Sequence, residues 1–320
     1  MFSIFFSVPR SLASLSLESF DEMKEDAMYS FFRHAYLVLG SQVEGEDLGL
    51  FDERPVAEYG NTVVRDLFAL NVTHIETEAA IILNVWMWCV HELYNVLRAC
   101  ERNDATSKDD MNAALDIAAA LWIGAEQPLG DNERGNLLYN LAEIAGARFD
   151  QGSAETLVNT AIIEKFKAIQ LGIGQGTCSG AGGYIEFRNI VRQVFGLMTV
   201  PLVQILIYHI MEPPIRGKSD FIELYTLALA PRLEVCNPIA YEDMLNMFVK
   251  GNFAESRKLE AIALIQSTYP CLDITCAEVG EYQSGLVAAC ADDSTKYTIM
   301  AGYPASSNVD QVSGAVDYIL

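Results

Sequence analysis

Basic residues are scarce in this chain. Against 43 Asp and Glu stand 21 Lys and Arg, a net charge of −22 over 320 residues. A surface so short of cations is not built to neutralise phosphates, which argues against nucleic acid as a partner. The same charge repels anionic membranes and attracts metal cations. Histidine is scarcer still, at His34, His74, His91 and His209. No HExxH, GxSxG or CxxC pair occurs, so the fingerprints of zinc proteases, serine hydrolases and zinc ribbons are missing. Cys89 lies two residues from His91, which on a helix sends the two side chains to different faces and denies a thiol–imidazole pair. No constellation for an enzyme stands out. Period-two alternation is nearly absent too, which leaves little for a sheet. Disorder is excluded by 51% apolar and 10% aromatic residues.

Cysteine is present in moderation, at positions 89, 100, 178, 236, 271, 276 and 290. Cys89 and Cys100, roughly 16 Å apart on one helix, are too far apart to bond each other. The other five fall at or near predicted loops, with three crowded close to the C-terminus. This usage suggests an oxidising compartment, and an odd count leaves at least one thiol free within a single chain. The opening Met1 to Val8 is a short apolar run with no basic residue before it, and does not by itself make a secretory signal. The sequon Asn71-Val72-Thr73 is compatible with secretion.

Helical spacing recurs instead. It predicts helices over Leu15 to Leu39, Thr62 to Leu70, Glu76 to Cys100, Leu137 to Phe149 and Ala154 to Ile169. Another covers Ser107 to Ile123, with Ser107 and Asp110 resembling a capping box and Gly124 as the stop. The glycine-rich stretch Gly172 to Gly183 lacks the Lys-Ser/Thr ending of a phosphate loop and reads as a connector. Val194 to Met211 carries no charge over eighteen residues. Thr199, Pro201, Gln204 and His209 interrupt it, so a buried helix kinked near Pro201 is expected rather than a membrane span. Asp220 with Glu223 makes a further cap signature. Asn237-Pro238 opens a helix ending at Lys250, and Ala254 to Ser267 forms the last one. The expected architecture is an all-α bundle of about ten helices over residues 1–270, with possible halves 1–171 and 184–270. An irregular, Cys-containing tail or linker follows over 271–320.

Carboxylates set among apolar helical residues are the candidates for chemistry. Asp116 sits between Leu115 and Ile117, and Tyr139 and Glu143 share a face four residues apart. His91 and Glu92 lie among Trp86, Trp88 and Tyr94. Phenol, imidazole and carboxylates together suit a hard cation such as Fe(III). The alternative is that Asp116 and Glu143 pair with Arg148, Lys165 or Lys167, or face solvent, and that His91 edges a core helix.

The block Ala118 to Asp150, AAALWIGAEQPLGDNERGNLLYNLAEIAGARFD, resembles the central block of the algal Fe-assimilating, low-iron-inducible periplasmic protein family. Its matching elements are an alanine-rich helix closing on an aromatic-Ile-Gly, Gly-Asn-Leu-Leu-Tyr-x-Leu-Ala, a final Phe, and Leu157-Val158-Asn159 beyond. The stretch from Cys271 to Leu320 looks like a linker between tandem units. The resemblance implies an all-α, non-enzymatic, secreted or cell-surface protein that binds iron, and it supplies no ligand motif. On the residues themselves, Asp116, Tyr139, Glu143, His91 and Glu92 are the expected metal donors. A helical surface module without metal is the alternative, with a metal cation or other cell-surface proteins as partners.

Overall fold

A computed structural model describes residues 50–51, 54–55, 59–69, 75–125, 127–128, 135–149, 156–180, 182–213 and 217–282. Among these the protein is a helical bundle; a two-residue antiparallel pair, Leu50–Phe51 with Arg54–Pro55, is the one extended element. The helix expected over 15–39, the sequon, His34, His74, Cys290 and most of the C-terminal tail lie outside the described residues.

Helix α1 is Tyr59–Ala69. Helix α2 runs Glu76–Arg102, with a π-helical segment at Ala80–Val85. It ends where Asn103 turns left-handed (φ 45°) and its N–H returns to the Ala99 carbonyl. Helix α3 spans Ser107–Ile123 and stops at Gly124. Its N-terminal box is set three residues earlier than expected. Asp104 accepts from the Ser107 amide at 3.0 Å and Ser107 Oγ accepts from the Asp104 amide at 2.9 Å. Helices α4 (Leu138–Ala147), α5 (Leu157–Gln175), α6 (Gly183–Met211) and α7 (Lys218–Cys236) follow. Asn237 caps α8 (Pro238–Met244) by accepting from the Ala240 amide at 3.1 Å, as its Asn-Pro signature predicts. A π-helical turn, Leu245–Val249, extends it. Helices α9 (Lys258–Ser267), α10 (Tyr269–Leu272) and α11 (Cys276–Val279) close the described chain.

The glycine-rich stretch is only partly a connector. Helix α5 continues through Gly172 and Gly174, and at Gly172 the missing side chain admits a neighbour. A Cβ at Gly172 would lie 2.5 Å from the Phe187 ring of α6. A short 3₁₀ turn, Thr177–Ser179, then makes the crossing. Cys178 on that turn bonds Cys100 at the end of α2, closing a loop of 78 residues. Cys271 and Cys276 are disulfide-bonded as well, while Cys89 is free, fully buried, and donates to the Ala118 carbonyl at 3.4 Å.

Helix α6 is the axis of the bundle. It packs on α2, α4 and α5 from one side of the glycine-rich stretch and on α7 from the other. Both α2 and α6 are long and apolar enough to cross a membrane, and 89% of the most apolar window of α6 is buried inside the protein. The helix continues through Pro201, and polar groups around the proline are spent locally. Thr199 Oγ1 donates back to the Phe195 carbonyl and Trp86 Nε1 reaches the Met198 carbonyl at 3.2 Å. Two lysines close its C-terminal end. Lys218 Nζ meets the Ile210 and Glu212 carbonyls, Lys258 Nζ those of Met211 and Glu212, and Glu255 joins both ammonium groups. Cations at that end answer the orphan carbonyls and the helix dipole together.

The covalent brace gives a direct prediction. By the chain-entropy relation, replacing Cys100 and Cys178 with Ala should cost about 4.5 kcal/mol. Urea unfolding of the double variant would show a midpoint lowered accordingly, with helical circular dichroism retained before the transition.

Candidate functional site

The five sequence-predicted donors go to different environments. Asp116 stands on the exposed side of α3 and points to solvent. Tyr139 and Glu143 on α4 are buried, with Tyr139 0% and Glu143 5% exposed. Glu143 Oε1 accepts from the Thr156 amide (3.1 Å), Thr156 Oγ1 (3.1 Å) and Asn159 Nδ2 (2.6 Å). It therefore caps the start of α5, where a negative charge is favoured. Asn159 completes the network. Its Nδ2 also donates to the Tyr139 carbonyl at 3.0 Å, and its Oδ1 accepts from Trp122 Nε1 at 2.9 Å. Trp122, Tyr139, Glu143 and Asn159 are thus the internal fastening of α3, α4 and α5.

His91 and Glu92 are both 6% exposed, on α2. Asn95 Nδ2 lies 3.0 Å from His91 Nε2 and 3.2 Å from Glu92 Oε2. The Asn95 side-chain amide thus bridges the two side chains. Among the described residues no three His, Cys, Asp or Glu side chains form a group able to hold a metal ion. The expected donor set of Asp116, Tyr139, Glu143, His91 and Glu92 is therefore not brought together as one centre. Glu143 is held by neutral donors rather than by Arg148, Lys165 or Lys167.

A second polar cluster, at the C-terminal end of α6, escaped the sequence because it draws on five separated segments. Tyr225 donates to Glu78 Oε1. Burial raises the Glu78 carboxyl above its usual range, against the lowering effect of the tyrosine bond and of Arg148. The Tyr225 phenol is pushed up by burial and by the neighbouring Glu78. His209 stacks on Phe221 with ring centres 4.3 Å apart and planes 4° from parallel. Its Nδ1 is buried and has no hydrogen-bond partner among the described residues. Burial first, then the charges of Arg148 and Lys218, push its pKa down to about 4. The Arg148 guanidinium lies 3.7 Å over the Tyr208 ring, and Tyr282 donates to Glu212 at 2.9 Å. Chemically this cluster keeps an imidazole neutral and a carboxyl reluctant to ionise.

Among the described residues, two of the cavities between helices are of ligand size. One of about 420 Å³ lies between α2 and α3, lined by Glu92, Asn95, Arg98, Arg102, Asp110 and Ile117 with small alanines. The other, about 440 Å³, is more apolar and is bordered by Leu157, Val158, Lys165, Gln193, Leu197 and Glu278. Comparison with family models, with curated proteins and with solved structures finds no match for the chain.

Glu143→Ala strands the Thr156 amide and the Asn159 side chain and should destabilise the fold by roughly 2–4 kcal/mol, more than Glu143→Gln, which keeps one acceptor. The unfolded His209 titrates near 6.5 and the folded one near 4, so between those values the unfolded chain binds more protons. Stability should therefore fall as pH drops through that window, by up to on the order of 3 kcal/mol from this group. Glu78, with its raised carboxyl pKa, works in the opposite direction above pH 4.5. Urea midpoints at pH 7 and pH 4.5 should converge in His209→Phe; a variant as acid-sensitive as the wild type would contradict the buried neutral imidazole.

Proposed function

We propose that this chain is a secreted or cell-surface helical module that acts through its surface, without catalysing a reaction. The observation that carries this reading is its cysteine usage. Cys100–Cys178 is formed, Cys271 and Cys276 are bonded, and the free Cys89 is enclosed in the core. Several disulfides in one ordinary-sized domain fit an oxidising compartment. The −22 charge keeps such a module soluble and apart from nucleic acid and anionic lipid.

Iron binding is what the resemblance implies, but the carboxylates expected to carry it are engaged otherwise. Glu143 serves as a helix cap and Asp116 is solvated. These placements favour the structural or adhesive reading over a metal centre at those residues.

A thiol count on protein from its native source tests the compartment. Cys89 should react under denaturing, non-reducing conditions but not in the folded state, while Cys100, Cys178, Cys271 and Cys276 should react only after reduction; labelling of those four without reductant would place the chain in a reducing environment. Calorimetric titration with Fe(III) tests the metal. The structural reading predicts no stoichiometric uptake that depends on Asp116 or Glu143. Uptake abolished by Asp116→Ala with Glu143→Gln, in a variant that still folds, would restore the iron centre.

A further inference from the structure

We propose that the groove between α2 and α3 binds a small organic monocarboxylate. Arg98 would take the carboxylate, and the hydrocarbon part would lie on Ala113, Ala114 and Ile117. The inference is independent of whether the chain is secreted or metal-free.

The cavity, at about 420 Å³, falls within the range of small-molecule sites. Arg98 and Arg102, one helical turn apart on α2, form its cationic wall. The two arginines are differently employed. Arg102 is committed to Asp104 at 3.5 Å and to Asp110 across the groove. Arg98 has one hydrogen bond, from Nη1 to the neutral Asn95 Oδ1 at 3.3 Å, and among the described residues no carboxylate lies within ion-pair distance of it. In a chain with 43 acidic and 21 basic residues, a half-buried guanidinium left with an amide is out of keeping with its surroundings. Its planar set of five donors matches a carboxylate in bidentate fashion.

The neighbouring residues hold it in place for that purpose. Asn95 is anchored from behind, its Nδ2 turned to His91 and Glu92, and so presents Oδ1 to Arg98. A side chain fixed on one edge leaves the remaining guanidinium donors oriented into the groove at little entropic cost. Beyond it, Ala113, Ala114 and Ile117 offer no polar side-chain atom, and Ile117 is 38% exposed. That part of the wall selects an apolar body. Glu92 and Asp110 line the same space and would repel a second negative charge, which favours a monocarboxylate over a dicarboxylate or a phosphate.

Ligand-observed NMR and calorimetry on the full chain, with hexanoate as the probe, test this. Wild type should bind hexanoate saturably, 1-hexanol and adipate more weakly. Arg98→Gln should weaken hexanoate by at least about tenfold, the scale of a lost charge-assisted bond. Ile117→Glu, at an exposed position that should not disturb folding, should weaken it as well. Lys165→Gln, in the other cavity, should leave binding unchanged. Absence of saturable binding in the wild type would overturn the proposal. So would wild-type affinity in a folded Arg98→Gln, or a loss that follows Lys165→Gln instead.

Discussion

A carboxylate enclosed by apolar helices has to be met by donors or by a counter-ion, because its hydration is gone. Glu143 is met by donors. The Thr156 amide and hydroxyl and the Asn159 amide converge on a single oxygen, and Asn159 in turn binds the Tyr139 carbonyl and the Trp122 indole. That one arrangement sets where α5 begins and fixes its register against α3 and α4. Moving any member by a residue would leave the others buried without partners. The same rule governs the packing of α7 on α6. Arg232, its pKa pushed down to about 9 by burial, donates to Thr199 and to the Leu272 carbonyl while lying over Phe195. Beside it, Arg192 pairs with Asp273 at 3.0 Å.

Function is then left to places where polar groups are not so fully consumed. The Arg148–His209–Glu78–Tyr225 cluster lies within the bundle and bears chiefly on stability and its pH dependence. The α2–α3 groove opens to solvent and carries a guanidinium whose donors are not exhausted by the protein. The two differ in access rather than in chemical richness, and access is what a ligand requires. The disulfide at the end of α2 holds the groove's own helix to the α5–α6 turn, so the site rests on a braced element rather than on a loop.

Much of this was legible from spacing alone. The Ser107 to Ile123 helix appears with the expected ends, and Asn237-Pro238 caps α8 as read. The long apolar segment is helical, though it starts eleven residues earlier, at Gly183 rather than Val194. Periodicity sees one face at a time, and the first third of α6 is too polar to announce itself. The glycine-rich stretch misled for a physical reason: Gly172 provides room for Phe187 and does not break α5. Of the carboxylates singled out as candidate donors, Glu143 and Glu92 are buried and Asp116 is exposed, and burial does not reveal the partner. The donors to Glu143 lie thirteen and sixteen residues away, on the next helix, at a distance no helical repeat encodes. The His209 cluster, assembled from residues 78 to 282, had no sequence signal at all.

The central claim is that Glu143 is a structural acceptor shared with Asn159. A double-mutant cycle in urea unfolding, with Glu143→Ala, Asn159→Ala and both together, measures that sharing. Non-additivity of at least about 1.5 kcal/mol is expected, as for partners in one buried network. Additive losses, agreeing within about 0.5 kcal/mol, would contradict it.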